Sequence, residues 1–220
     1  MKQNGFTAFF YTFSDWFAKI VYLNILWIFF TFAGFIIFSI SPATIALFAV
    51  IRQLLIEKDS FSITKKFWHV FKGEFFKANG IGICLTIVAT SLALYLQLFM
   101  TTENTLLQAL YYPMLMVAIL LGLTILYFIP SYIHYNHKLV PTFKNACLVM
   151  IVSPLNTFTM ASSVFVIAFV SLLFPILIVF FSVSLFALFV MMTALRTFRQ
   201  VELKKGVAPS HTTKTLHSEA

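Results

Sequence analysis

The acidic side chains are the groups of this chain best suited to general acid–base chemistry, and only seven are present. They lie in the flanks of apolar stretches or in the connections between them: Asp15, Glu57, Asp59, Glu74, Glu103, Glu202 and Glu219. Glu57 and Asp59 are spaced closely enough for an acid–base pair, but Lys58 between them favours solvated surface charge. The chain also lacks a Walker lysine motif, HExxH and GxSxG. We therefore expect a protein that is not an enzyme.

Two histidines, His134 and His137, are spaced to share one face of a helix. A metal site would need further ligands and groups that orient them, and the neighbouring sequence offers neither. Anchoring at a membrane surface, together with nearby Tyr and Lys side chains, is the favoured interpretation. The sequence therefore predicts no metal and no cofactor.

The elements that must position these groups are apolar helices. Apolar residues make up 60% of the 220 residues and charged residues 10%, whereas soluble domains carry about a quarter charged residues. Four windows have no charged residue: 20–51, 78–102, 104–137 and 145–195. About 20 helical residues cross the hydrocarbon core, and a backbone in lipid must pair its own polar groups.

We therefore predict an all-α membrane bundle with five transmembrane helices and one or two interfacial helices. Residues 1–205 form a single membrane-embedded domain, and residues 206–220 form a disordered polar tail. The last two spans are joined by a hairpin at Phe174–Pro175. The predicted spans are 20–40, 80–100, 110–132, 155–174 and 176–195, and the predicted interfacial helices are 42–56 and 61–79.

The orientation follows from the positive charges, because cytoplasmic loops are enriched in Lys and Arg. Five spans place 13 of the 15 cations on one side, which leaves Lys2 and Lys19 on the other. We expect a bacterial cytoplasmic membrane protein with its C-terminus in the cytoplasm and its N-terminus outside. A sixth span at 42–56 would return the N-terminus to the cytoplasm, but that segment is short and carries Arg52. The net charge of +8 indicates anionic inner-leaflet lipids as partners, not nucleic acid.

Residues 61–79 have the pattern of an amphipathic helix. Ile63, Phe67, Phe71 and Phe75 recur every four residues with Trp68 beside them, and lysines such as Lys72 fall largely on the opposite side. Glu74 is an exception on the apolar side. We expect this helix to lie along the inner membrane surface, with its aromatic rings among acyl chains and its lysines at headgroups. Docking of a partner protein is the alternative.

Residues 42–56 form the second unusual segment. Ser41 is suited to cap a helix that has Pro42 in its first turn, Ala43 and Thr44 belong to a small-residue face, and Arg52 marks the far end at the surface. Two interpretations remain open: a short helix packed under the bundle, or a re-entrant element that lines a path. In the predicted spans Asn24 is expected to hydrogen-bond another helix. The absence of charged residues there argues against ion-coupled transport.

The run Asn24-Ile25-Leu26-Trp27-Ile28, the later Ser41-Pro42-Ala43-Thr44 with Arg52, and the basic aromatic stretch resemble the YesL-like family of bacterial integral membrane proteins. The resemblance implies a multi-span inner-membrane protein, and its members are often encoded beside permeases of sugar ABC transporters. It supplies no catalytic residues. The candidate motif residues, structural or partner-docking, are Asn24, Trp27, Pro42, Ala43, Thr44, Arg52, Phe67, Trp68 and Lys72.

Two functions are therefore expected. The first is a non-enzymatic accessory or regulatory protein for a membrane partner, such as an ABC transporter for carbohydrate uptake. The alternative is a transporter or permease component that moves a small solute without ion coupling.

Overall fold

The computed structural model describes residues 5–57, 61–134, 139–174, 176 and 178–204. These residues contain eight α-helices and no strand. A short 3₁₀ turn, Ile36–Phe38, separates the first two helices, and a π-helical turn, Ile178–Ser182, precedes the last one. The helices are α1 Gly5–Ala33, α2 Ile40–Ile56, α3 Ile63–Thr101, α4 Thr105–Ala109, α5 Tyr111–His134, α6 Leu139–Val152, α7 Pro154–Leu173 and α8 Val183–Lys204.

Five helical segments in the described residues are long and apolar enough to cross a membrane. They are Phe10–Ala33, Ile63–Thr101, Thr105–His134, Pro154–Leu173 and Phe180–Val201. The predicted fold class, an all-α bundle with five spans, is confirmed. The helices α5 and α7 begin and end within two residues of the predicted third and fourth spans.

The first span begins and ends earlier than predicted. Helix α1 starts at Gly5, before the predicted start at residue 20. Asp15 and Lys19 lie one helical turn apart and form an ion pair (2.6 Å), so these charged residues do not interrupt the helix. It ends at Ala33 because Phe35 and Ile36 have positive φ angles of 60° and 42°, which a right-handed helix cannot contain.

The predicted interfacial helix 61–79 and the predicted span 80–100 are a single helix, so the boundary between them is wrong. Helix α3 runs without a break for 39 residues, or about 58 Å at 1.5 Å per residue. No proline stands at the expected junction, and the Asn79 amide donates to the Phe75 carbonyl within the helix (2.9 Å). Such a helix is about twice as long as the hydrocarbon core is thick.

Helix α6 was not predicted from the sequence, and it lies where a connection between two spans was expected. Its Pro141 is in the first turn, where the missing N–H is tolerated. The helix packs back on α5, and the Thr124 hydroxyl donates to the Met150 sulfur (3.6 Å). The last span also begins later than the predicted residue 176, at Phe180, since a π-helical turn precedes α8. Pro175 and the tail 206–220 lie outside the described residues.

Helix α2 occupies the centre of the molecule. It packs against α1, α3, α5 and α8, and Ala43, Ala46, Leu47 and Val50 have no exposed surface. The second half of α3 (residues 83–101) is the opposite case, because none of its side chains is buried. The chain therefore folds a short apolar helix into the middle of longer ones.

Candidate functional site

The turn between α1 and α2 is built around Gly34. The Ser39 hydroxyl donates to the Gly34 carbonyl (2.9 Å), and a side-chain carbon at position 34 would overlap that hydroxyl. Ser39 therefore holds the start of α2 against the end of α1. This corrects the expected cap, because α2 begins at Ile40 and Ser41 lies inside its first turn. Pro42 also lies in that turn and is buried.

Small residues bring α2 close to its neighbours. A side-chain carbon at Gly82 of α3 would overlap the hydroxyl of Ser41, so the two helices approach closely at this point. On the other side, the Trp27 indole N–H of α1 donates to the Thr44 hydroxyl (3.2 Å), which itself donates to the Ile40 carbonyl (2.6 Å). Ala43, without exposed surface, lies between these contacts in sequence.

Asn24 connects α1 to the start of α8. Its side chain has no exposed surface, and its Oδ1 accepts a hydrogen bond from the backbone N–H of Ser184 (3.1 Å). Ser184 is the second residue of α8, and the first N–H groups of an α-helix have no partner within that helix. The side chain thus supplies an acceptor that α8 cannot supply to itself.

Phe67 and Phe71 of the aromatic stripe of α3 face the protein, so the expected insertion of these two rings among acyl chains is wrong. Phe67 has no exposed surface, and its ring centroid lies 5.1 Å from that of Phe30 in α1. Phe71 lies equally close to Phe30. These two rings therefore pack against an aromatic ring of α1.

The face of the same helix beside this stripe is left open. Trp68 stacks on Phe30 and on Phe71, yet half of its surface is exposed. Lys65, Lys72 and Lys77 are exposed, as is Phe76 at 88%. We call these five residues the basic aromatic face. It combines cations with two exposed aromatic rings in the first half of α3.

A polar cleft lies between α2, the first half of α3 and the end of α5. Its volume is about 310 Å³. Charges of both signs line it, and the polar lining residues are Arg52, Gln53, Glu57, Lys66, His69 and Glu74. It is the strongest concentration of ionisable groups around any described cavity of the chain.

Two side chains of the cleft are left with unsatisfied atoms. Arg52 Nε and Gln53 Oε1 are buried without a hydrogen-bond partner in the described part of the chain, although the Gln53 amide N–H donates to Glu57 (2.5 Å). Burial lowers the pKa of Arg52 from its ordinary value, and the nearby Glu57 carboxylate opposes that shift. Arg52 remains a cation, so the cleft holds a buried positive charge.

Glu74, the exception in the amphipathic pattern, closes one side of the cleft. The Tyr132 hydroxyl of α5 donates to its carboxylate (2.8 Å). Tyr132 also lines an apolar groove of about 210 Å³ that runs between Ser41, Gly82 and Phe128. Ile45 lines both the groove and the polar cleft. The two cavities therefore adjoin along α2.

The nine candidate residues do not form one site. Trp27, Pro42, Ala43 and Thr44 cluster at the start of α2, Asn24 of α1 contacts α8, and Phe67 is internal. Arg52 alone lines the polar cleft, and Trp68 and Lys72 belong to the basic aromatic face. The sequence reading missed the cleft, whose available signal was Glu74, an acid among apolar positions of an amphipathic helix. His134 stacks on Phe198 (5.0 Å), and His137 lies outside the described residues.

Residues 20–98 of the chain match the family described as "Protein of unknown function, DUF624". That range contains all nine candidate residues and most of the lining of the cleft. No solved structure matches the chain.

Three relatives from Bacillus subtilis (strain 168) match most of the chain. The "Uncharacterized protein YteU" is 31% identical over 84% of this chain and 83% of its own length. YesV, also described as uncharacterized, is 32% identical over 84% and 89%, respectively. YesL, described in the same way, is 23% identical over 88% and 91%.

Proposed function

This chain belongs to the YesL-like family of uncharacterised membrane proteins, and from that premise we propose that it is a non-enzymatic accessory or regulatory protein of the bacterial cytoplasmic membrane. Its partner in this proposal is a membrane protein such as the permease of a carbohydrate uptake system. The basic aromatic face of α3 is the single observation that carries the proposal.

Two features of that face favour contact with another molecule. Trp68 and Phe76 are large apolar rings exposed beside three lysines, and aromatic residues are enriched in the energetically important parts of protein interfaces. Phe67 and Phe71 pack inward, whereas Phe76 is 88% exposed and Trp68 keeps half of its surface exposed while it stacks on Phe30. The face can therefore contact a partner without unfolding the helix, and its lysines can contact anionic lipid beside that partner.

The packing of α2 favours an accessory role over a permease. A transport path requires polar groups or space between the spans, and α2 fills the centre with apolar side chains such as Leu47 and Val50 that have no exposed surface. The buried Asn24 in the adjacent helix is engaged by Ser184. This arrangement favours a short packed helix, the first of the two interpretations of 42–56, over a re-entrant element that lines a path, although the helix lies within the bundle and not under it.

The orientation is part of the proposal and rests on the distribution of Lys and Arg. The basic aromatic face and the C-terminus lie in the cytoplasm, and the N-terminus lies outside. Single cysteines at Thr12 and Glu57, labelled from outside intact cells, test this placement. We expect labelling at Thr12 only; labelling at neither or at both positions would contradict it.

Site-specific photo-cross-linking in cells tests the accessory role. A cross-linking amino acid at Trp68 or Lys72 should capture a carbohydrate permease subunit, because both side chains are on the exposed face. The matched control is Leu94, which is 62% exposed on the second half of the same helix and should capture lipid. The double variant Trp68→Ala, Lys72→Glu should also lower the cellular uptake of the sugar while the protein level stays unchanged.

Two outcomes would overturn the accessory role. The first is equal capture at Leu94 and Lys72, since contact would then not depend on the basic aromatic face. The second is solute flux through vesicles that contain the purified chain alone, which would establish a permease.

A further inference from the structure

The polar cleft carries charges of both signs close together. Arg52 and Lys66 provide cations, while Glu57 and Glu74 provide carboxylates. Neither sign is in excess among these four groups. An anionic ligand alone would leave the carboxylates facing it, whereas a ligand with one group of each sign would be matched on both sides.

The buried atoms of the cleft that lack hydrogen-bond partners also include one donor and one acceptor. Arg52 Nε is a donor without an acceptor, and Gln53 Oε1 is an acceptor without a donor, in the part of the chain that the structure describes. Leaving such groups unpaired destabilises the folded protein. Both residues line the cleft, so one small ligand there lies beside both side chains. That ligand must offer both an acceptor and a donor.

The apolar groove extends the cleft along α2. It is bounded by Ile81, Leu85 and Phe128 and shares Ile45 with the cleft. Ile40, at one edge of the groove, is 44% exposed. A polar cleft beside an apolar groove matches a molecule with a charged head and a hydrocarbon tail.

We propose that this composite cavity binds a phospholipid whose headgroup carries a phosphate and a primary ammonium group, the chemistry of phosphatidylethanolamine. The phosphate lies at Arg52 and Lys66, with one oxygen accepting from Arg52 Nε. The ammonium group lies at Glu57 and Glu74 and donates to Gln53 Oε1. An acyl chain follows the groove past Ile45. This site is distinct from the basic aromatic face, whose lysines contact lipid only through charge.

Native mass spectrometry of the full-length chain in detergent tests the site. The chain is incubated separately with phosphatidylethanolamine, phosphatidylcholine and phosphatidylglycerol, and the lipid-bound fraction is measured for each. We expect phosphatidylethanolamine to bind about tenfold more tightly than the other two, the effect of one charge-assisted hydrogen bond. The quaternary ammonium group of phosphatidylcholine has no N–H to donate to Gln53.

Two variants connect this preference to the cleft. Arg52→Gln should lower the affinity for phosphatidylethanolamine about tenfold, because it removes the charge at the phosphate. Lys66 is only partly buried, so Lys66→Gln provides a second variant if the first one fails to fold. The matched control is Lys72→Gln, an exposed lysine on the same helix outside the cleft, which should leave the affinity unchanged.

The other outcomes each contradict the proposal. Equal binding of the three lipids would mean non-specific lipid contact. Displacement of the lipid by inorganic phosphate alone at similar concentrations would make free phosphate the ligand. An equal loss in the Lys66→Gln and Lys72→Gln variants would place the lipid at the basic aromatic face. The absence of any retained lipid would mean that the cleft holds only water.

Discussion

Helix α2 and the second half of α3 are both apolar, yet they have opposite environments. In α2, Ala46 and Leu47 have no exposed surface. In the second half of α3, Ile87 and Leu94 are 61% and 62% exposed, and no side chain of that segment is buried. One helix is surrounded by protein, and the other presents its side chains to lipid.

The difference between them lies in close packing and in polar contacts with other helices, not in hydropathy. Lipid tails are as apolar as leucine, so apolar surface alone does not drive helices together in a membrane. Helix α2 combines small residues such as Ala43 with a hydroxyl, Thr44, that is bonded to another helix. The second half of α3 also has small residues such as Ala93, but that residue is exposed, and the hydroxyl of Thr86 bonds to its own helix at Gly82. Close packing and polar contacts between helices therefore decide which apolar helix is central.

Enlarging a central residue of α2 should cause the largest loss of stability. Ala46→Leu adds three carbons where no surface is exposed, and overpacking of this kind costs about 3 kcal/mol. We expect a large loss of stability in denaturant titrations of the purified chain in detergent. Ala93→Leu, at an exposed position of α3, is the matched control and should change little.

A similar loss in both alanine variants would contradict the assignment of α3 to lipid. An unchanged stability of Ala46→Leu would instead mean that α2 is loosely packed and free to move within the bundle.

A substitution at the contact between Gly82 and Ser41 should cause a smaller loss of stability, and a control nearby on the same helix should increase stability. Gly82→Ala forces the Ser41 hydroxyl to move, for which we expect a loss of about 2 kcal/mol. At Gly80, two residues earlier, an added carbon meets nothing within 4 Å. Gly80→Ala should therefore stabilise the helix by about 0.5–1 kcal/mol. Thermal unfolding of the two variants in the same detergent compares them directly.

A second substitution tests the cause. Ser41→Ala removes the hydroxyl that the new methyl group would overlap, so it should restore most of the stability of Gly82→Ala. Failure of this rescue would mean that the α2–α3 distance is set elsewhere.

Asn24→Ala should have an effect of about 1 kcal/mol, within the range measured for hydrogen bonds between membrane helices. The variant removes the acceptor for the Ser184 N–H and leaves a buried donor at the start of α8. Hydrogen exchange of the Ser184 amide should increase more than that of amides in α3. The control is Gln97→Ala, an exposed amide of α3, whose removal should affect neither stability nor exchange at Ser184.

The sequence predicted the five spans because charge and hydropathy are local properties. Residues 110–132 and 155–174 could be placed within two residues, since charged or proline-containing connections flank them. The continuity of α3 was missed because its first half looks amphipathic and its second half looks like a span. The pattern changes at Asn79, but nothing there stops a helix. Helix α6 was missed because Lys144 suggested a connection.

The polar cleft could not be predicted because its members come from three separate helices. Arg52 and Gln53 are adjacent in sequence, but Lys66 and Glu74 reach them only when α2 folds back along α3, and Tyr132 comes from α5. Hydropathy contains no information about which helices are neighbours. Glu74 alone carried a local signal, as a charge on an apolar face. Such an exception is best explained by a partner on another helix.

The bond between Trp27 and Thr44 tests whether polar contacts, as well as close packing, distinguish α2 from the second half of α3. Trp27→Phe removes the indole donor and Thr44→Val removes the hydroxyl, and each change leaves a side chain of related shape. A double-mutant cycle should give a coupling of about 0.6 kcal/mol, the average for such bonds in membrane proteins. The Thr86→Val variant, which removes only a bond within α3, should show no coupling to Trp27→Phe. Zero coupling for Thr44 as well would leave packing as the sole reason that α2 is central, because the indole would then contribute only its ring.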